Sequence, residues 1–186
     1  MMNPSTNYMP GPADAEVRKD GEQWTLVLTR ELRHAPQIVW KALTDPAQLR
    51  EWAPFDADTD MGTTGATVKL STVNAPGQNV AETKITRAER PHLLEYDWGG
   101  NSMRWQLEDY GGGTRLTLWA SIDRRFIAMG AAGWHLCLDV LAHLLDGAPL
   151  GRVVGMDALK SAAWQQLNAE YSRRFGVEAP SWPQKG

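Results

Sequence analysis

Gly133-Trp134-His135-Leu136-Cys137-Leu138-Asp139-Val140-Leu141-Ala142-His143-Leu144-Leu145-Asp146-Gly147 reads as one helix, apolar on almost every face and stopped by Gly147. A helix with so little polar surface must be covered on more than one side. What lies upstream to cover it is a run of alternating strands, so the pattern predicts one long buried helix gripped by a sheet. At about 1.5 Å per residue, Phe126 to Leu145 is long enough to cross a bilayer. His135, Asp139 and His143 would be costly in hydrocarbon, so a core helix rather than a membrane span is expected.

The rest of the chain fits a single domain. Of 186 residues, 42% are apolar and 22% charged, ordinary values for one sizeable core. Net charge is −3 with basic residues scattered, so there is no electrostatic footprint for a nucleic-acid backbone. The single cysteine, Cys137, lies inside the apolar helix; it reads as a small buried hydrophobe and agrees with a reducing, cytoplasmic setting. Residues 1–22 carry Pro4, Pro10, Gly11 and Pro12 and no apolar run, which predicts a disordered tail rather than a secretory signal. The domain is expected over 23–176, with 177–186 as a flexible tail.

Trp24, Leu26 and Leu28 share one parity of a first strand that ends near Leu32. Pro36 suits a first helical position, and Ile38, Val39, Ala42 and Leu43 form a short stripe; Asp45 can then cap a second short helix opened by Pro46. From Phe55 to Ile122 the period becomes two, with breaks at Gly62–Gly65, Ala75–Gly77, Arg90–Pro91, Gly99–Asn101 and Gly111–Gly113. Five or six antiparallel strands fit these limits. Val68 and Leu70, Leu94 and Tyr96, Met103 and Trp105, and Leu116 and Leu118 put apolar residues on one face, opposite Lys69, Glu95, Arg104 and Arg115. A last amphipathic helix is expected over Met156 to Phe175, ended by Gly176.

Val39-Trp40-Lys41-Ala42-Leu43-Thr44-Asp45-Pro46, followed by Leu49 and Trp52, resembles the opening motif of the START-like (SRPBCC) superfamily. More narrowly it is similar to the branch named after the activator of the ninety-kilodalton heat-shock-protein ATPase, and Gly133-Trp134-His135 with Leu138 and Leu141 resembles that branch's later motif. The likeness spans roughly Thr25 to Gly176. It implies an α+β helix-grip fold, a curved seven-stranded antiparallel sheet around a long C-terminal helix, with two short helices after the first strand. It also implies a cavity between sheet and helix that in many members holds an apolar small molecule; other relatives are cyclases, aromatases or co-chaperones. The chain departs from the pattern at Ala53, where many relatives place a second aromatic, and at Ala120, where many carry a histidine.

Nine tryptophans are several times the usual share. Trp52, Trp98, Trp105 and Trp134 fall on inward parities and would line such a cavity with Phe55, Met103, Leu118 and Gly130, while Thr72 and Thr83 would supply polar handles. The same rings could instead fill the interior. Gly130, one turn before Trp134, is expected to face the sheet across the cavity. His135, Asp139, His143 and Asp146 share one helical edge, a spacing compatible with a metal but more simply the hydrogen-bonded side of a buried helix. Asp56, Asp58 and Asp60 have alternate acidic spacing, yet Gly62 comes one place late for a calcium loop and Thr67 stands where a bidentate glutamate is needed. No metal and no cofactor is expected. Glu82 and Lys84 have outward parity, and no nucleophile, zinc or phosphate-binding signature occurs. The expected function is binding of a lipid, polyketide or aromatic molecule. The alternatives are an interaction module of co-chaperone type and a cyclase, aromatase or hydrolase, the last needing a titrating group in the cavity such as Glu82, Asp109 or His135. Trp119 has the outward parity of Arg115 and Thr117, which points to a homodimer surface.

Overall fold

The computed structural model describes residues 8–77 and 79–177. Nine strands and five α-helices occur among them: β1 (Glu16–Asp20), β2 (Gln23–Leu32), α1 (Pro36–Thr44), α2 (Pro46–Leu49), β3 (Phe55–Ala57), β4 (Thr67–Thr72), β5 (Val80–Lys84), β6 (Arg87–Glu89), β7 (Leu93–Trp98), β8 (Asn101–Tyr110), β9 (Gly113–Ile122), α3 (Ile127–Leu145), α4 (Gly155–Lys160) and α5 (Ala162–Phe175). All pairings are antiparallel, in a six-stranded sheet ordered β1-β2-β9-β8-β7-β6 and a three-stranded sheet ordered β3-β4-β5. One extended run links the two sheets: Ile85 N–H bonds Ala66 O on the β4 side, and the next residue's Thr86 N–H bonds Glu95 O on the β7 side. This switch curves the surface into the trough that holds α3.

The alternation places whole rows of side chains in register. Leu28, Leu118, Trp105 and Leu94 align across β2, β9, β8 and β7, and Leu26, Ala120, Met103 and Tyr96 form the next row. All are buried. The trough is filled by α3, whose buried positions lie on nearly all sides because β2 covers one flank and α5 another. The two short helices form as their caps dictate: Pro36 opens α1, and the Asp45 side chain accepts a bond from Ala47 N–H at 3.0 Å at the start of α2.

Three expectations change. Seven strands become nine because the 80–89 run divides between two sheets and because β1 forms where a disordered tail was expected. No alternation marks Glu16–Asp20, whose residues are mostly exposed; the strand exists because β2 offers it an edge. Residues 8–15 are also placed, against α3 and α5, by the polar contacts described below. Residues 1–7, together with 178–186 of the expected C-terminal tail, lie outside the described residues. Finally, the last helix is two. Ser161 leaves helical conformation (ψ 142°) and its hydroxyl accepts from Trp164 N–H at 3.1 Å, capping α5.

Candidate functional site

The inner face of the sheet and the residues packed on it form a buried core. Trp52, Phe55 and Trp105 are 1% exposed, Met103 2% and Leu118 0%, so these five expected site residues belong to the core. Their rings interlock edge to face: Trp52 on Trp105 at 6.0 Å, Trp105 on Trp134 at 5.6 Å, and Trp134 on Trp98 at 5.8 Å. The indole N–H groups are satisfied within the core, Trp52 donating to Ala42 O at 2.9 Å and Trp105 to the Tyr96 hydroxyl at 3.0 Å. Burial pushes that tyrosine hydroxyl well above its ordinary value.

Open space begins where this aromatic line ends. A cavity of about 370 Å³ has Trp98 and Trp134 as its floor. Met129, Gly133 and Cys137 of α3 make one wall, and Pro54 with the Asn74–Pro76 turn makes another. Val153–Met156, Ala158, Leu159 and Trp164 line the far side. Size and apolar character are those of a small-molecule site. Among the described residues no charged side chain belongs to the lining, and burial raises the Cys137 thiol to about 12, so it is neutral.

The far wall is held by specific contacts. An added Cβ on Gly155 would lie 2.6 Å from the carbonyl oxygens of Val73 and Asn74, and its φ is +59°, so the close approach requires glycine. Met156 N–H donates to Asn74 O at 3.0 Å, and the Asn74 carboxamide donates to Asp157 at 3.1 Å. Arg152 pins the preceding loop, donating to Ala53 O (2.6 Å), Phe55 O (2.9 Å) and the Asp56 carboxylate (2.8 Å).

Of the expected site residues, Trp98, Trp134 and Gly130 border this cavity, and Thr72 borders a neighbouring one. Gly130 does so with its backbone only. A Cβ there would meet Ile122 Cδ1 at 2.4 Å and Leu26 Cδ1 at 3.2 Å, so the position is packed on the sheet. The glycine facing open space is Gly133, where a Cβ would meet nothing within 4 Å. Thr83 is buried and accepts from Asp97 N–H at 3.3 Å, a structural bond.

The model of the family "Activator of Hsp90 ATPase homolog 1-like protein" matches residues 33–146, more than half of the chain. The chain belongs to this family. A comparison with curated proteins gives no match. Among solved structures, similar ones include EF2215, a conserved protein of unknown function from Enterococcus faecalis, with 16% identity over 87% of this chain and 90% of that one at a TM-score of 0.65. CalU16 from Micromonospora echinospora has 19% identity over 88% and 94% at 0.61. DynU16, described as a putative protein in the dynemicin biosynthetic locus, has 23% identity and a TM-score of 0.59, covering 70% of this chain and 50% of that one. These likenesses establish the helix-grip fold. The Activator of Hsp90 ATPase homolog 1-like match ends at residue 146, so the cavity wall from Val153 to Trp164 comes from outside the matched segment.

The polar edge of α3 serves this family member as a seam for the chain's first described residues. His135 Nδ1 lies 2.7 Å from the Tyr171 hydroxyl, which also accepts from the N–H groups of Asp14 and Ala15 at 3.1 Å. Asp139 accepts a hydrogen bond from the Tyr8 hydroxyl and faces Arg30 Nε at 3.6 Å, while Arg30 also pairs with Asp14 at 3.0 Å. Burial holds the His135 imidazole below its ordinary value and drives the Tyr171 hydroxyl to about 12. Asp146 pairs with His34 at 2.7 Å, and His143 packs edge-on to Tyr8. Among the described residues no His, Cys, Asp or Glu group is arranged to hold a metal ion. The acidic run is likewise used locally: Asp58 accepts from Lys69 N–H at 2.8 Å and Asp60 from Gly62 N–H at 2.7 Å.

Proposed function

We propose that the protein binds an apolar small molecule in the cavity floored by Trp98 and Trp134. One observation carries this reading: the space beside Gly133 is lined almost wholly by apolar side chains, whereas Trp52, Phe55, Met103, Trp105 and Leu118 are buried in the core. Burying a ligand there removes apolar surface from water at little polar cost. Titration with Nile red, a neutral apolar fluorophore, tests it. Saturation near one equivalent with quenching of tryptophan emission is the expected result, since two indoles floor the site. Absence of saturable binding would defeat the reading.

Binding is favoured over catalysis by the lining itself. Acid–base chemistry needs a titrating group inside, whereas Glu82 and Asp109 are exposed and His135 is turned to Tyr171 and Asp139. An interaction module, including a homodimer through Trp119, would use the outer sheet face. There the Trp119 ring is half-buried and covered by the Arg104 guanidinium, 5.2 Å from the ring centre, which also faces Glu95 at 3.5 Å. A charged cap over the ring makes this the weaker reading.

A further inference from the structure

Resting on the cavity reading above, a second pocket narrows the class of ligand. It has a volume of about 290 Å³ and lies along the same β4–β5 hairpin, on the flank of Thr72, Asn79 and Asn101. Trp98 borders both spaces, so its indole is a shared wall. The ring is half-buried, supported on its inner side by Phe55 at 5.1 Å and Trp134 at 5.8 Å. Gly99 and Gly100 follow it, and a Cβ on either would meet nothing within 4 Å, so no side chain of that turn confines the outer flank.

The two pockets differ in chemistry and agree in charge. The first offers aliphatic and aromatic surface; the second adds the Thr72 hydroxyl and two carboxamides, groups that donate and accept hydrogen bonds without carrying charge. Neither lining includes Lys, Arg, Asp, Glu or His among the described residues. A carboxylate or phosphate brought in here would meet no countercharge, whereas a hydroxyl or amide would find hydrogen-bonding partners.

We propose that the two pockets are the two halves of one site, divided by Trp98, for an uncharged amphipathic molecule. Its apolar ring body lies against Trp134 and Gly133, and its hydroxyl or amide end reaches Thr72 and Asn101. Fatty acids and phospholipids are the wrong class; hydroxylated polycyclic or aromatic compounds are the right one.

Displacement of Nile red by 1-pyrenebutanol and by 1-pyrenebutyrate tests this, because the two share a body and differ in charge at the end. The alcohol is expected to compete about tenfold more strongly than the carboxylate. Thr72→Val, which keeps shape and removes the hydroxyl, and Asn101→Ala at the exposed turn are each expected to weaken the alcohol about threefold to tenfold while leaving the thermal melt unchanged. Equal or tighter binding of the carboxylate, or an alcohol indifferent to both variants, would overturn the uncharged two-pocket site and leave the cavity reading intact. Failure of Nile red itself to bind would overturn the cavity reading instead.

Discussion

Replacing Gly133 separates an open cavity from a packed one. The residue sits inside α3, its φ is not in the left-handed region, and an added Cβ would meet nothing within 4 Å. Gly133→Ala therefore removes the glycine penalty of a helix interior, about 0.5–1 kcal/mol, with no steric cost. For a domain of this size that raises Tm by roughly 1–4 °C. Gly133→Leu keeps most of that gain and places four carbons in the cavity, so Nile red affinity should fall about tenfold or more. Gly130 is the control. A methyl there starts 2.4 Å from Ile122 Cδ1 and 3.2 Å from Leu26 Cδ1. Overpacking of about 1–3 kcal/mol outweighs the same helical gain, so Gly130→Leu should lower Tm. Thermal melts followed by circular dichroism, paired with Nile red titrations, read both quantities. A Gly133→Leu variant that melts as early as Gly130→Leu would mean the space is not open. One that melts late yet binds Nile red as the parent does would mean the probe binds elsewhere.

Arg152→Ala removes three hydrogen bonds that pin the loop before α4, and should raise hydrogen exchange across 148–155 and speed probe release; unchanged exchange would show the latch to be unimportant. Tyr171→Phe strands the N–H groups of Asp14 and Ala15, at a cost of roughly 1–3 kcal/mol for the buried Ala15 group by urea unfolding; a loss below about 0.5 kcal/mol would refute the seam. Because burial holds His135 below its usual 6.5, the unfolded chain binds more protons once pH drops under that value, and stability falls toward the lower folded value. The slope is at most about 1.4 kcal/mol per pH unit, and His135→Gln should flatten it between about pH 7 and 5.5; an unchanged slope would assign the effect to other groups. Dimerisation through Trp119 predicts that Trp119→Ser halves the mass seen by light scattering at micromolar concentration, and equal masses would exclude that surface.

Period and punctuation alone determined the architecture. Alternating Leu94, Tyr96, Met103, Trp105, Leu116 and Leu118 could only make one apolar sheet face, and a helix as apolar as Gly133–Leu145 could only lie against it, because each needs the other to leave water. Pro36, Asp45 and Pro46 marked two helices by local rules of φ and capping. Tertiary structure alone decided what depends on partners distant in the chain. Parity places Trp52, Trp105 and Met103 inward but cannot say whether inward means packed or open; that is a matter of volumes contributed by several elements at once. Gly130 and Gly133 are three residues apart on one helix, and only the positions of Ile122 and Leu26 make one of them tight and the other free. β1 and the residues before it carry no periodic signal because edge pairing with β2 and bonds to Tyr171 and Asp139, not an apolar face, hold them. The cavity's outer wall is a loop and a short helix brought over Asn74 by Gly155 and Arg152, a closure whose hydrogen bonds span some eighty to a hundred residues of chain and leave no pattern in either segment read alone.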